Sequence, residues 1–302
     1  ADMYMFTDAV AQEVVSAGLS ANLSCGGVLF DPVFDPKTCH DCVAQEALAQ
    51  RWHGYGDGQI RFDASIHAEY TSRSELWKWT ADFAKANGLG MHVHISETRK
   101  EHAECIQRHG KTPVQTLDRY GVWDVRGIAA HCVYTTAEDW AILAAKGVSA
   151  VHNPCSNLKL GSGIAPVPAM KAAGVNVCLG TDGVSSNNNH DMFEEMKLAA
   201  ILHNGAACDP LALGSWDALR LATVNGAAAL GRKTGRIEPG YDADLILVDM
   251  RKPHLCPVHD LVSNLVYCGK ASDVETVIVN GEIVVEERRV RGVDTADLMQ
   301  RI

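Results

Sequence analysis

The chain has 302 residues, 47% of them hydrophobic, and a formal net charge of −10. It is long enough for one large core or a core with an appendage, and its acidic balance, unbroken by any Lys/Arg cluster, disfavours nucleic acid and anionic membrane surfaces as partners. It has no run of 18 apolar residues to span a bilayer and no basic, apolar signal at its start, and its ten scattered cysteines read as buried thiols of a reducing, cytoplasmic protein.

In chain order, Ala1 stands where a Met would, as expected of a processed, trimmed or partial product. Residues 8–17 have a helical apolar period and residues 21–25 form an apolar strand. Cys39-His40-Asp41-Cys42 has metal-like spacing without a second Cys pair, so a loop with incidental cysteines is the simpler reading. Residues 59–66 form the next strand, which His67 ends. Ser72-Arg73-Ser74-Glu75 reads as a capping box ahead of a helix over 74–87, in which Trp77 and Trp79 pack.

The strand over 91–95 carries His92-Val93-His94, and its alternation is expected to leave only one of these histidines for the mouth of the sheet. Glu97 follows just past the strand end. Residues 127–131 form a strand ending in His131, and Thr135-Thr136-Ala137-Glu138 caps a helix over 137–146. Strands over 149–152 and 176–181 end near His152 and Asp182. Gly88, Gly147 and Gly174 follow helical segments, where a left-handed residue is expected. Past Gly231 the texture changes to short β segments: residues 243–248, then 276–279 and 283–285 around Asn280-Gly281, a hairpin turn.

Strand and helix in alternation predict a parallel sheet with right-handed crossovers. Titratable groups repeatedly end its strands, which is the pattern of a (β/α)8 TIM-type barrel rather than a doubly wound sheet with a Gly-rich phosphate loop. Residues 1–232 are read as an incomplete barrel and 233–302 as a small β-sandwich appendage plus tail. About six of eight barrel strands can be counted. Six cannot close, so two are expected upstream of Ala1. Each candidate alone has a plain structural reading: a buried histidine bonded to a carbonyl, or an Asp in an Asx turn. Jointly, His67, His94, His131 and Asp182 meet at one mouth.

Four stretches in order resemble the amidohydrolase superfamily: His94-Ile95-Ser96-Glu97-Thr98, Ala130-His131-Cys132-Val133, the run from His152-Asn153-Pro154-Cys155 through Ser156-Asn157 to Gly161, and Leu179-Gly180-Thr181-Asp182-Gly183. Within it, Gly163-Ile164-Ala165-Pro166-Val167-Pro168, residues 185–193 and the tail Glu238-Pro239-Gly240 to Leu245 most resemble the 5-methylthioadenosine/S-adenosylhomocysteine deaminase branch. The resemblance implies one divalent metal ion, zinc in most members with iron as an alternative, held in part by His94 and Asp182. It implies that Glu97 is the general acid/base, that His131 sits beside the metal-activated water, and that His67 contacts substrate, as Glu97 and His131 also do. Asp182 would orient and deprotonate the nucleophile. The implied reaction is hydrolytic loss of ammonia from an adenine-nucleoside-like or other aminated heteroaromatic ring. The partner is then a small molecule, and a homo-oligomer is compatible with it.

The family's first-strand His-x-His, which supplies two further metal ligands, is absent, in keeping with the strand count. Its ribose-binding arginines have no counterpart in Ser24-Cys25-Gly26-Gly27 or Lys37-Thr38-Cys39-His40-Asp41-Cys42. Two other readings stand beside the deaminase: a hydrolase removing chloride or another substituent from a triazine-like ring, and a catalytically incomplete fragment. Glu97 favours ammonia loss, because an amine must be protonated to leave. Asn187-Asn188-Asn189, His152 and Asn157 read as loop-fixing or pocket-wall residues.

Overall fold

The computed structural model describes residues 1–301. Its frame is a run of parallel strands: β1 (Asp2–Met3), β2 (Ala21–Ser24), β3 (Ile60–Phe62), β4 (Ala64–Ala68), β5 (Met91–Ile95), β6 (Gly127–His131), β7 (Ser149–His152) and β8 (Asn176–Leu179). Pairing follows chain order, β1–β2–β3 and then β4 through β8. The strand expected over 59–66 is thus two pieces parted at Asp63. A bridge from Gly27 to Ile66 joins the two sheets across the break. The two-residue β1, parallel to β2, is a strand that apolar patterning does not reveal.

Asp63 explains the break. Its buried carboxylate accepts from Asn22 Nδ2 at 3.2 Å and pairs with Arg126. Gly90 makes room for that pair, since a Cβ there would lie 2.1 Å from Arg126 Nη2. Arg126 also donates to Ala229 O, and Arg232 donates to Asn22 Oδ1, Ala21 O and Gln59 O. These arginines tie the strand N-terminal ends to the last barrel helix, leaving the opposite end to carry chemistry.

One strand face packs on helices. Met91, Val93 and Ile95 are fully buried, as are Ile66, Ala129 and Ala150. Each large apolar side chain so removed from water contributes about 1.5–3 kcal/mol. The helix Ser74–Asn87 lies over β4 and buries Trp77, as the sequence reading expects. The expected Ser72 capping box does not form, because Ser72 Oγ donates to Ala68 O and accepts from Trp77 Nε1. The helix Ala137–Lys146 has its box one residue later than read, between Thr136 and Asp139. Cys39 and Cys42 stand at the start of a helix, His40–Trp52, and all ten cysteines are unbridged.

Beyond residue 232, β9 (Leu245–Val248), β10 (Val274–Val279), β11 (Glu282–Glu286) and β12 (Arg289–Val290) form one antiparallel sheet in the order 12-11-10-9. Asn280 and Gly281, at φ 50° and 84°, make the β10–β11 turn. Between β9 and β10 the chain returns to the barrel, where the helix Leu261–Cys268 places Val262 and Val266 in the main core against the helices Met192–Ala207 and Ser215–Ala222. No helix among the described residues is long and apolar enough to cross a membrane.

Candidate active site

The site gathers at the C-terminal ends of β4, β5, β6 and β8. His92 and His94 both point to the interior, with rings 6.0 Å apart, so they differ in depth and not in face. Residues two apart on a strand share a face, so it is depth, not the alternation invoked from the sequence, that leaves only His94 for the mouth. His92 lies a layer below, its Nδ1 3.3 Å from Ser24 Oγ. Burial, then the neighbouring His94, holds its pKa well below the usual value.

His94, nearer the mouth, is within 5.0 Å of the His67 ring and 5.4 Å of the His131 ring. Its Nδ1 lies 2.8 Å from His67 O. A carbonyl can only accept, so Nδ1 carries the proton and Nε2 keeps its lone pair. Burial first, then the His131 and His67 rings, push the His94 imidazole down to about 4, against the opposing His67 carbonyl and Asp182 carboxylate. It is therefore neutral near pH 7, the form that binds metal.

His67 has the same polarity. Thr71 Oγ1 donates to Ala68 O, so it accepts from His67 Nδ1 at 3.0 Å. Burial lowers the His67 pKa, while Glu97 acts against it. His131 Nδ1 lies 2.9 Å from Asn157 Oδ1, and its Nε2 lies 3.7 Å from Glu97 Oε2. Among the described residues, none of these three rings has a hydrogen bond at Nε2.

Glu97 projects from the loop after β5. The Glu101 carboxylate shapes that loop by accepting from the Ser96, Glu97 and Thr98 amides at 2.8, 2.8 and 3.4 Å. Thr98 caps the helix Arg99–His109 that follows. Glu97 Oε1 accepts from Ser162 Oγ at 3.2 Å. Asp182 Oδ2 accepts from Ser156 Oγ and its Oδ1 from Gly183 N, both at 2.6 Å. His131 and Asp182 have φ of 72° and 63°. Left-handed backbone costs non-glycine residues roughly 1–2 kcal/mol and persists where surroundings over-determine it, typically at working sites.

His67, His94, His131 and Glu97 therefore lie side by side at one rim, and the Asp182 carboxylate acts on His94 there. Ser156, Ser162 and Thr71 carry no signal of their own in the sequence, because short hydroxyl side chains in loops are ordinary. Asn187 Nδ2 donates to Thr181 O and Glu195 Oε1, each at 2.6 Å, so it braces the loop after β8. As for a cation, His94 and Asp182 are a nitrogen and oxygen donor pair suited to zinc or iron. Among the described residues no group of three or more His, Cys, Asp or Glu is arranged to hold a metal, so this pair alone is not a complete ligand set. A separate cavity of about 370 Å³, lined by Glu69, Tyr70, Arg73, Arg108 and Tyr120, includes none of these residues.

His152, at the end of β7, faces His203 with Nε2 to Nε2 at 3.3 Å. Burial, and for His152 also the nearby His203, pushes the pair down to about 3 and about 4 respectively. Unfolded imidazoles take up protons below about 6.5, whereas the folded pair does so only near 4 and below. The unfolded state therefore binds more protons in that window. Stability is expected to fall as pH drops from 6.5 towards 4, by up to about 1.4 kcal/mol per pH unit for each group. Urea unfolding across that range checks this. His203→Gln should flatten the slope, and an unchanged slope would remove the pair as its cause.

Comparison with known proteins adds the following. The Amidohydrolase family profile matches residues 13–284. A 5-methylthioadenosine/S-adenosylhomocysteine deaminase from Pelotomaculum thermopropionicum is 46% identical over 302 residues, covering 99% of this chain and 68% of that protein. A 5'-deoxyadenosine deaminase from Methanosarcina mazei is 43% identical over 99% of this chain and 69% of its own length. A solved adenosine deaminase from Xanthomonas campestris with bound zinc superposes with a TM-score of 0.93 at 34% identity, covering 99% of this chain and 68% of that one.

Proposed function

Because the chain belongs to the amidohydrolase family, we propose that it works as a metal-dependent aminohydrolase on the exocyclic amine of an adenine nucleoside or a similar aminated ring. The observation that carries this reading is the meeting of Glu97 and His131 Nε2 at 3.7 Å beside His94 and Asp182. One group that moves protons, one imidazole facing the attacking water and two donors that would form part of a metal site are groups that replacing an amine by water calls for.

His94 Nε2 and the Asp182 carboxylate would hold the divalent ion, with zinc proposed over iron. When bound, the ion supplies Lewis-acid activation, lowering the pKa of water from 15.7 to about 7. Glu97 carries one water proton to a ring nitrogen while the water oxygen bonds to the amine-bearing carbon. Asp182 accepts the remaining hydroxyl proton, which leaves on the departing amine as ammonia. His131, its Nδ1–H held on Asn157 Oδ1, presents its Nε2 lone pair to a hydrogen of the attacking water and so orients that water. His67, with Nδ1 fixed on Thr71, offers Nε2 to substrate.

The test is zinc-supplemented protein incubated with adenosine, 5′-deoxyadenosine, 5′-methylthioadenosine and a chlorotriazine. Ammonia release from an adenosine analogue is the expected result. Chloride release alone would replace this reading with the dechlorinating one. No turnover, with bound metal below about a tenth of an equivalent, would favour an incomplete site.

A further inference from the structure

The three proposed catalytic groups come from three strands, yet one short segment touches all of them. Ser156 Oγ donates to Asp182 at 2.6 Å, Asn157 Oδ1 accepts from His131 Nδ1 at 2.9 Å, and Ser162 Oγ donates to Glu97 at 3.2 Å. All three side chains are buried, Ser156 and Asn157 completely. We propose that the segment from Ser156 to Ser162 is a single positioning element that sets Asp182, His131 and Glu97 together, with these three residues as positioning residues. The proposal rests on the roles assigned above.

The segment is built to hold shape. It lies on the helix Pro154–Lys159, whose Pro154 occupies the first turn. The chain then folds back so that Ser162 N donates to Asn157 O at 2.8 Å. Asn157 thus fixes His131 through its side chain and the Ser162 backbone through its carbonyl. Tyr134 OH donates to Ser162 O at 2.7 Å from the other side. Gly163 completes the turn at φ 130°, where a Cβ would sit 3.0 Å from Val133 Cγ1 and 3.1 Å from Tyr134 OH. Cys155 N donates to Glu195, and Lys159 Nζ to Ser185 O, which anchors the element to the helix Met192–Ala207 and to the segment after β8.

A plain loop-stabilising role would satisfy Ser156, Asn157 and Ser162 on the backbone. Here each side chain reaches a different reactive group. The left-handed backbone at His131 and Asp182 needs such outside support. Catalytic side chains must be held to about 0.5 Å, so releasing one anchor should lower kcat more than it raises KM.

The test is a pair of mutant cycles in the active protein. Ser162→Ala is expected to lower kcat about tenfold with KM within about twofold, the effect of losing one charge-assisted hydrogen bond. In a Glu97→Gln background the same change should add nothing, because the Gln cannot carry the proton however well Ser162 holds it. Ser156→Ala should behave likewise against Asp182→Asn, and Ser156→Thr should restore activity. Asn157→Leu should shift the His131 Nδ1–H signal in imidazole NMR, and Asn157→Asp, which keeps the acceptor, should retain it. Should Asn157→Leu fail to fold, the serine cycles decide alone. Full additivity in both serine cycles overturns the proposal. If Glu97→Gln itself keeps near-normal turnover, the catalytic assignment fails instead, so the two failures are distinct.

Discussion

Glu97→Gln is expected to lower turnover at least about a hundredfold while leaving fold and metal content unchanged. General acid–base catalysis contributes roughly 10²–10⁴ in rate, and an amide of the same shape can neither take nor give the proton. The contacts around residue 97 make the substitution clean. Its backbone amide is held by Glu101 and its Oε1 accepts from Ser162, which the Gln oxygen can still do. The His131 Nε2 atom lies 3.7 Å from Glu97 Oε2, beyond an ordinary hydrogen bond, so little structure depends on the negative charge. Steady-state kinetics with metal analysis and a melting curve check this. Near-normal kcat in a folded, metal-loaded variant would remove Glu97 from the mechanism.

The second large effect is expected at Asp182. Asp182→Asn should cost roughly 10²–10⁴ in kcat and weaken metal binding, because it removes a proton acceptor and an anionic donor at once. Asn is the right probe for two reasons. It tolerates the left-handed backbone at φ 63° better than most residues. Its oxygen can still accept from Gly183 N, while the Ser156 hydroxyl can rotate to accept from the new amide. Retained turnover with metal still bound would show that neither role belongs to this carboxylate.

Much of the barrel is legible in the sequence because its helices and strands have distinct periods. The helices over 74–87 and 137–146 begin and end where their apolar spacing and terminal glycines say. The candidate site is legible for a related reason: a parallel barrel brings strand ends to one rim, so His94, His131 and Asp182 can be read from their places in sequence. What escapes is set by contacts between distant segments. The break at Asp63 depends on Arg126, the Ser72 hydroxyl is taken by Trp77 rather than by a helix end, and β1 is two residues long. The depth order of His92 and His94 likewise emerges only when Ser24 and His67 arrive from other strands. Ser156 and Ser162 are invisible for the same cause, since nothing in a serine announces which carboxylate it will meet.

The helix Leu261–Cys268 bears on how this architecture can change over generations. It is encoded after β9 yet forms part of the wall that shields the barrel interior, through Val262 and Val266. The C-terminal sheet is therefore not a detachable ornament that lineages could discard or exchange freely. Any ancestor that shed it would also have uncovered an oily strip beside Phe193 and Leu221, which ties the inheritance of the two regions together.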